Sequence, residues 1–239
     1  MVKDINNGSS SSDPYQLTAV GTTLYFAAND GTNGTELWKS DGTPNGTMMV
    51  KDINNGSFSS YPFYPTAVGN TLYFQANDGT NGYELWKSDG TANGTMMVKD
   101  IDNGSGASYP SQFTVIGNTL YFSADDGNNG RELWKSDGTA NGTMMVKDIY
   151  NGIYGSNAYA LTALGNTLYF GAYDGTNGRE LWKSDGTANG TMLVKDIYSG
   201  SRSSNPDSLT AVGNTLYFVS TTVGMMEFPI VNVWFYSPS

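Results

Sequence analysis

The side chains able to do chemistry in this chain are carboxylates, amides, phenols, indoles, lysine amines and three guanidinium groups, and most of them come in periodic sets. Asp30, Asn33 and Glu36 place three oxygen-bearing side chains around glycines. The set returns as Asp78, Asn81 and Glu84, as Asp126, Asn129 and Glu132, and as Asp174, Asn177 and Glu180. Calcium favours such oxygen ligands on a turning backbone. The spacing does not match an EF-hand loop, and Asp and Asn form turns on their own account. Turn chemistry is therefore the preferred reading, with Asp30, Asn33 and Glu36 kept as secondary calcium candidates. No metal is expected to be required for folding, and no cofactor is implied.

A second set is aromatic. Trp38, Trp86, Trp134 and Trp182 share one position of the period. Indoles stack on sugar rings, but a tryptophan that recurs inside an apolar run more readily wedges between packed sheets, and that reading is preferred. The third set differs between the copies. The residue before the periodic Glu is Thr35, Tyr83, Arg131 or Arg179, and the long polar loops carry Tyr15, Phe58, Tyr61, Phe63, Tyr64, Tyr109, Tyr150, Tyr154, Tyr159 and Arg202. Variable aromatic and Arg positions on loops held by a rigid frame are where ligands are met. Tyr61, Tyr64, Tyr83, Tyr109, Arg131, Tyr154 and Arg179 are the candidate ligand-binding residues, although unconstrained drift in loops would leave the same trace.

Composition removes several classes. There is no His and no Cys, which excludes Cys/His zinc sites, thiol nucleophiles and Ser-His-Asp arrangements. A net charge of −10 disfavours nucleic acid and anionic membrane surfaces, and no apolar run is long enough to span a bilayer. Aromatics at 13% against charged residues at 14%, with 30 Gly, describe a folded chain full of tight turns. Met1 leads directly into strand-like residues, so no signal peptide is expected.

The elements that position these residues follow from one stretch, ELWKSDGT, at Glu36–Thr43, Glu84–Thr91, Glu132–Thr139 and Glu180–Thr187, always 48 residues apart. A fixed period of this length marks a repeat architecture. Each period reads as four short strands, predicted in the first copy at Leu17–Val20, Thr23–Ala28, Thr35–Ser40 and Thr47–Ile53. They are separated by Gly-Asn or Gly-Thr, by NDGTNG and by a DG/NG turn. Four antiparallel strands followed by a longer crossover make a propeller blade. Lys51 and Asp52 on the fourth strand suit an exposed edge, where charge discourages further pairing. The 239 residues come within one of five periods, so the expectation is an all-β, five-bladed propeller in a single domain. Its repeats are residues 6–53, 54–101, 102–149, 150–197 and 198–239, the last completed by the N-terminal strand Met1–Ile5. Val231–Tyr236 is the predicted third strand of that last blade.

The motif, with NDGTNG before it and GTMMVKDI after it, resembles the ELWxxDGT repeat proteins of bacteria over residues 1–219. The resemblance implies a β-propeller in a secreted or surface-associated protein and transfers no enzymatic activity. Pro229 and Ile230 depart from the motif in the tail, and the near-identity of the other copies points to recent amplification or a designed chain.

Carboxylates, Lys and Tyr remain as catalytic groups, and paired carboxylates can hydrolyse glycosides. Catalysis needs one asymmetric constellation, whereas these acids repeat in every blade, so no enzyme is expected. Equivalent repeated sites suit a binding module gaining avidity from several contacts. The expectation is a monomer recognising glycans or a surface partner, glycan or protein, through one loop face. A structural repeat scaffold with no ligand is the alternative.

Overall fold

A computed structural model describes residues 1–223 and 229–237. Strands come in chain order as β1 (Tyr15–Val20), β2 (Thr23–Asn29), β3 (Thr35–Ser40), β4 (Met48–Lys51), β5 (Phe63–Val68), β6 (Thr71–Asn77), β7 (Tyr83–Ser88) and β8 (Met96–Lys99). They continue as β9 (Ser111–Ile116), β10 (Thr119–Asp125), β11 (Arg131–Ser136), β12 (Met144–Lys147), β13 (Tyr159–Leu164), β14 (Thr167–Tyr173), β15 (Arg179–Ser184) and β16 (Met192–Lys195). The last three are β17 (Asp207–Val212), β18 (Thr215–Val223) and β19 (Pro229–Tyr236). Four sheets are four-stranded meanders and the fifth, β17-β18-β19, has three strands. The expected strands are therefore present, with the first of each blade starting two residues earlier and the fourth shorter than the apolar pattern suggests.

The chain falls into two compact units, residues 1–111 with 138–140, and residues 112–137 with 141–239. In the first unit Val20, Tyr25, Leu37, Val50 and Ile53 of one blade pack on Leu72, Phe74, Ala76 and Trp86 of the next. In the second unit Tyr121, Leu133, Val146 and Ile149 meet Leu168, Phe170, Ala172 and Trp182 in the same arrangement. This explains the imperfect alternation of the strands: both faces of a blade are covered, so Leu72, Tyr73 and Phe74 are all buried. Trp86 and Trp182 lie in these interfaces, and all four periodic tryptophans are buried at 5–6% exposure, as their place inside strands predicts.

Two expectations are corrected. The lysine of the fourth strand does not guard an edge. Lys51 Nζ donates to the Thr95 carbonyl at 2.8 Å and lies over the Trp86 ring, reaching across to the following blade, and Lys147 does the same to Thr191 and Trp182. The long apolar stem lets the ammonium cross the interface while its head finds a carbonyl. Closure of the last blade by Met1–Ile5 is not seen either. Among the described residues β19 carries no fourth strand, and Met1–Ile5 forms none. Instead Lys3 Nζ donates to the Thr47 carbonyl at 2.7 Å, and Ile5 packs against the group Phe26, Ala28 and Trp38. The N-terminal residues thus sit on the first blade as the end of a preceding blade would.

Candidate functional site

The crossover that leaves each blade folds back over that blade's own NDGTNG loop, which brings the variable residues together. Three devices hold it there. Asp30 closes the NDGTNG loop on itself: Oδ1 accepts the N–H groups of Thr32 and Asn33, and Oδ2 accepts Asn33 Nδ2, all at 2.8 Å. These bonds favour the anion and hold the Asp30 carboxyl below its ordinary range, against the opposing effect of its partial burial. Gly34 has φ of +69°, and a Cβ there would run into the Phe58 carbonyl, so the crossover backbone can lie directly on the loop.

The third device is the periodic glutamate. Glu36 is fully buried and accepts the N–H groups of Ile53 (3.0 Å), Asn54 (3.4 Å) and Ser60 (2.9 Å), and the Ser60 hydroxyl at 2.6 Å. Glu84 with Ser108, Glu132 with Ser156, and Glu180 with Ser204 repeat the latch. Burial without a cationic partner pushes the carboxyls of Glu36 and Glu84 up to about 7, against the lowering effect of their donors. Glu132 and Glu180 are raised by the same cause. The three calcium candidates are therefore divided: Asp30 and Asn33 spend their polar atoms within the turn, while Glu36 turns to the crossover. Among the described residues no three acidic side chains gather around one point.

On the surface so built, the first unit carries an aromatic patch. Tyr61 stacks on Phe63 with centroids 6.4 Å apart, Phe63 touches Tyr15 at 5.8 Å and Tyr64 at 6.2 Å, and Tyr83 stacks on Tyr109 at 5.5 Å. Burial first, then the neighbouring phenols of Tyr61 and Tyr83 and the carboxylate of Glu36, push the Tyr15 phenol up to about 12. Tyr61, Tyr64 and Tyr109 remain exposed.

The second unit is arranged differently. Arg131 donates from Nη1 to the Ser123 carbonyl at 3.1 Å, Tyr154 stacks on Tyr150 at 5.2 Å, and the Arg179 guanidinium lies 5.8 Å over the Tyr159 ring. Gly171 leaves the space that the Tyr159 ring fills. Burial raises the Tyr159 phenol to about 12 although Arg179 opposes it. Within the first unit the structure joins Tyr61, Tyr64, Tyr83 and Tyr109. In the second it places Arg131, Tyr154 and Arg179 in separate local contacts.

The latch serines Ser60, Ser108, Ser156 and Ser204 were not singled out from the sequence. Their signal was present, because each lies 24 residues after its glutamate inside an otherwise variable loop.

No protein-family model and no curated protein matches the chain. Solved structures do. A puromycin hydrolase superposes with a TM-score of 0.59 over 94% of this chain and 36% of its own, at 12% identity. Oligopeptidase B from Leishmania major gives 0.55 over 98% of this chain and 32% of its own at 11% identity. Prolyl oligopeptidase B from Galerina marginata gives 0.54 over 98% and 38% at 14% identity. The chain thus spans about a third of the length of the structures it matches. At these identities the likeness concerns the fold alone, and the neighbours are β-propeller domains.

The comparisons overturn the expectation of a multivalent glycan-recognising module, because the propellers resembled are parts of peptidases. The geometry gives the physical reason. The variable aromatics do not repeat as equivalent sites: Tyr61, Phe63, Tyr64 and Tyr15 group in the first unit, whereas Tyr150, Tyr154 and Tyr173 group at different positions in the second, so the avidity argument loses its premise. What the residues and comparisons establish together is an all-β chain of repeated antiparallel four-stranded sheets of the β-propeller type.

Proposed function

We propose that this chain serves as the non-catalytic propeller domain of a peptidase-type hydrolase, handling peptide beside a catalytic centre that another domain supplies. The observation that carries the reading is the asymmetry of the match: 94% of this chain against 36% of a puromycin hydrolase. The chemistry supports it. The chain has no His or Cys, and its buried glutamates have both carboxylate oxygens engaged by protein donors. None is free to pass a proton to a substrate.

The surface offered to peptide is the aromatic patch of Tyr15, Tyr61, Phe63, Tyr64, Tyr83 and Tyr109 in the first unit. Stacked phenols present apolar faces to side chains and polar edges to a peptide backbone, at low cost in rotamer freedom.

The test has two arms on the purified chain. Incubation with a fluorogenic peptide and with puromycin is expected to give no hydrolysis; turnover that survives repurification overturns the non-catalytic assignment. Titration with a mixed-sequence peptide library is expected to perturb Tyr fluorescence. Replacing Tyr61 or Tyr109 with Ala should weaken that binding roughly tenfold, the loss expected for one aromatic contact. Peptide binding indifferent to both substitutions removes the patch from the reading.

A further inference from the structure

All three guanidinium groups of the chain lie in the second unit, and two of them are tied down. Arg202 Nη1 donates to the Tyr198 hydroxyl at 2.6 Å, and Arg131 Nη1 donates to the Ser123 carbonyl at 3.1 Å. Lys135 and Lys147 likewise donate to the carbonyls of Gly186 and Thr191. Arg179 differs. It is exposed, and among the described residues its guanidinium makes no hydrogen bond and no ion pair, lying 5.8 Å over the Tyr159 ring.

The contrast with Arg131 has a local cause. The two arginines hold the same place in the period, and the carbonyl that corresponds to Ser123 is that of Gly171. The Tyr159 ring lies over Gly171, in space that a Cβ there would occupy. The residue 48 places before Tyr159 is Ser111, which has no ring to interpose. The phenol thus takes the seat on which Arg131 rests in its own blade, and Arg179 is lifted onto the outer face of the ring.

The lifted residue is held from below. Its N–H donates to Ser203 Oγ at 2.9 Å, and its carbonyl accepts the Asn205 N–H at 3.1 Å and the Ser204 hydroxyl at 3.4 Å. A guanidinium stacked by one face keeps the donors on its edge. The Tyr159 hydroxyl is also buried without a hydrogen-bond partner among the described residues, so both members of the stack hold an unfilled donor.

We propose that Arg179, on its Tyr159 shelf, binds a single peptide carboxylate, either a chain terminus or an acidic side chain. The planar fork of N–H donors matches a planar pair of acceptor oxygens. The surroundings disfavour a more highly charged anion. Asp207 and Glu180 are close enough to act on the Tyr159 phenol, and the chain as a whole carries −10. The peptide as carrier of the carboxylate rests on the reading above; the carboxylate site itself needs nothing from the aromatic patch of the first unit.

Titration of the isotope-labelled full chain with N-acetyl-trialanine, followed at the three arginine Nε–H signals, tests it. Arg131→Lys, Arg179→Lys and Arg202→Lys assign those signals. The Arg179 signal is expected to shift saturably, and the C-terminal amide of the same peptide to leave it in place. N-acetyl-Ala-Glu-Ala amide separates the two sources: a shift with it admits side-chain carboxylates, and none restricts the site to the chain terminus. Read at the backbone amides of residues 203–205, Arg179→Gln should weaken binding roughly tenfold, the loss expected for a charged hydrogen bond. Tyr159→Ser keeps the charge and removes the shelf, and should weaken binding as much. Tyr159→Phe keeps the shelf and should stay within about threefold of the wild type. Circular dichroism checks folding, and the exposed Arg179→Gln variant carries the test if Tyr159→Ser does not fold. Tyr61→Ala should leave this titration unchanged, so failure of the aromatic patch and failure of this site are told apart. An Arg179 signal that does not move, or that moves equally with the amide, overturns the inference. So does tighter binding of inorganic phosphate than of acetate.

Discussion

At the scale of the residue, the decisive group is the latch glutamate. Its four donors favour the anion, yet burial in a site without a cation outweighs them and holds Glu36 and Glu84 near 7 rather than 4.5. The folded-state pKa lies above the unfolded one. The stability these groups contribute is therefore complete below about 4.5 and is lost as pH rises through about 7. The urea midpoint is expected to be higher at pH 5 than at pH 8. Asp30, Asp78, Asp126 and Asp174, held low by their turn bonds, set the opposite limit, so stability also falls when the medium becomes acid enough to protonate them. Glu84→Gln replaces one acceptor oxygen with a donor that faces N–H groups. It should cost about 1–3 kcal/mol in urea unfolding and flatten the pH 5 to 8 slope. A variant with unchanged midpoint and unchanged slope would show that the latch is not what titrates.

At the scale of the element, the blade and its crossover depend on one glycine and one indole. Gly82 has φ of +69°, and a Cβ there would strike the Gly106 carbonyl. Gly82→Ala is expected to lose about 1–3 kcal/mol from backbone strain, with the collision in addition. Gly69, with φ of +59° and open space, should accept Asn with a change under about 1 kcal/mol. Trp86→Ala removes a side chain 6% exposed between two blades and should cost about 3–5 kcal/mol. Chemical denaturation of the three variants gives the order directly. A Gly69→Asn variant less stable than Gly82→Ala would contradict the packing of crossover on loop.

At the scale of the molecule, the N-terminal residues 1–5 pack on the first blade without forming a strand. Removing residues 1–5 deletes the Lys3 bond to Thr47 and uncovers Phe26 and Trp38. The expected loss is about 1–3 kcal/mol from one hydrogen bond and one half-buried Ile, read from thermal and urea unfolding. An unchanged melting temperature in this truncation would mean that the N-terminal residues do not stay seated in solution. Calcium at millimolar concentration is expected to leave the melting midpoint where EDTA leaves it, because the turn carboxylates already hold protein donors. A large upward shift would show that the ion displaces those donors.

What the sequence determines by itself is everything carried by short-range pattern. The 48-residue period, the Gly-Asn turns and the apolar runs specify four strands per blade, because turn geometry and strand propensity act within a few residues. The burial of the tryptophans follows from their place inside those strands. The tertiary structure decides what depends on long-range approach. Glu36 meets Ser60 only because the crossover returns over its own loop, and a carboxylate in a turn-rich stretch reads equally well as a cation ligand until that return is known. Lys51 reads as an edge charge until Thr95 of the next blade is placed beside it. Tyr15, Tyr61, Tyr83 and Tyr109 are far apart in the sequence and neighbours in space. The burial of Glu36, Glu84, Glu132 and Glu180 has no local signature either, since the glutamate looks the same in the sequence whether or not a crossover covers it. Burial is a property of the neighbour, and only the folded chain supplies it.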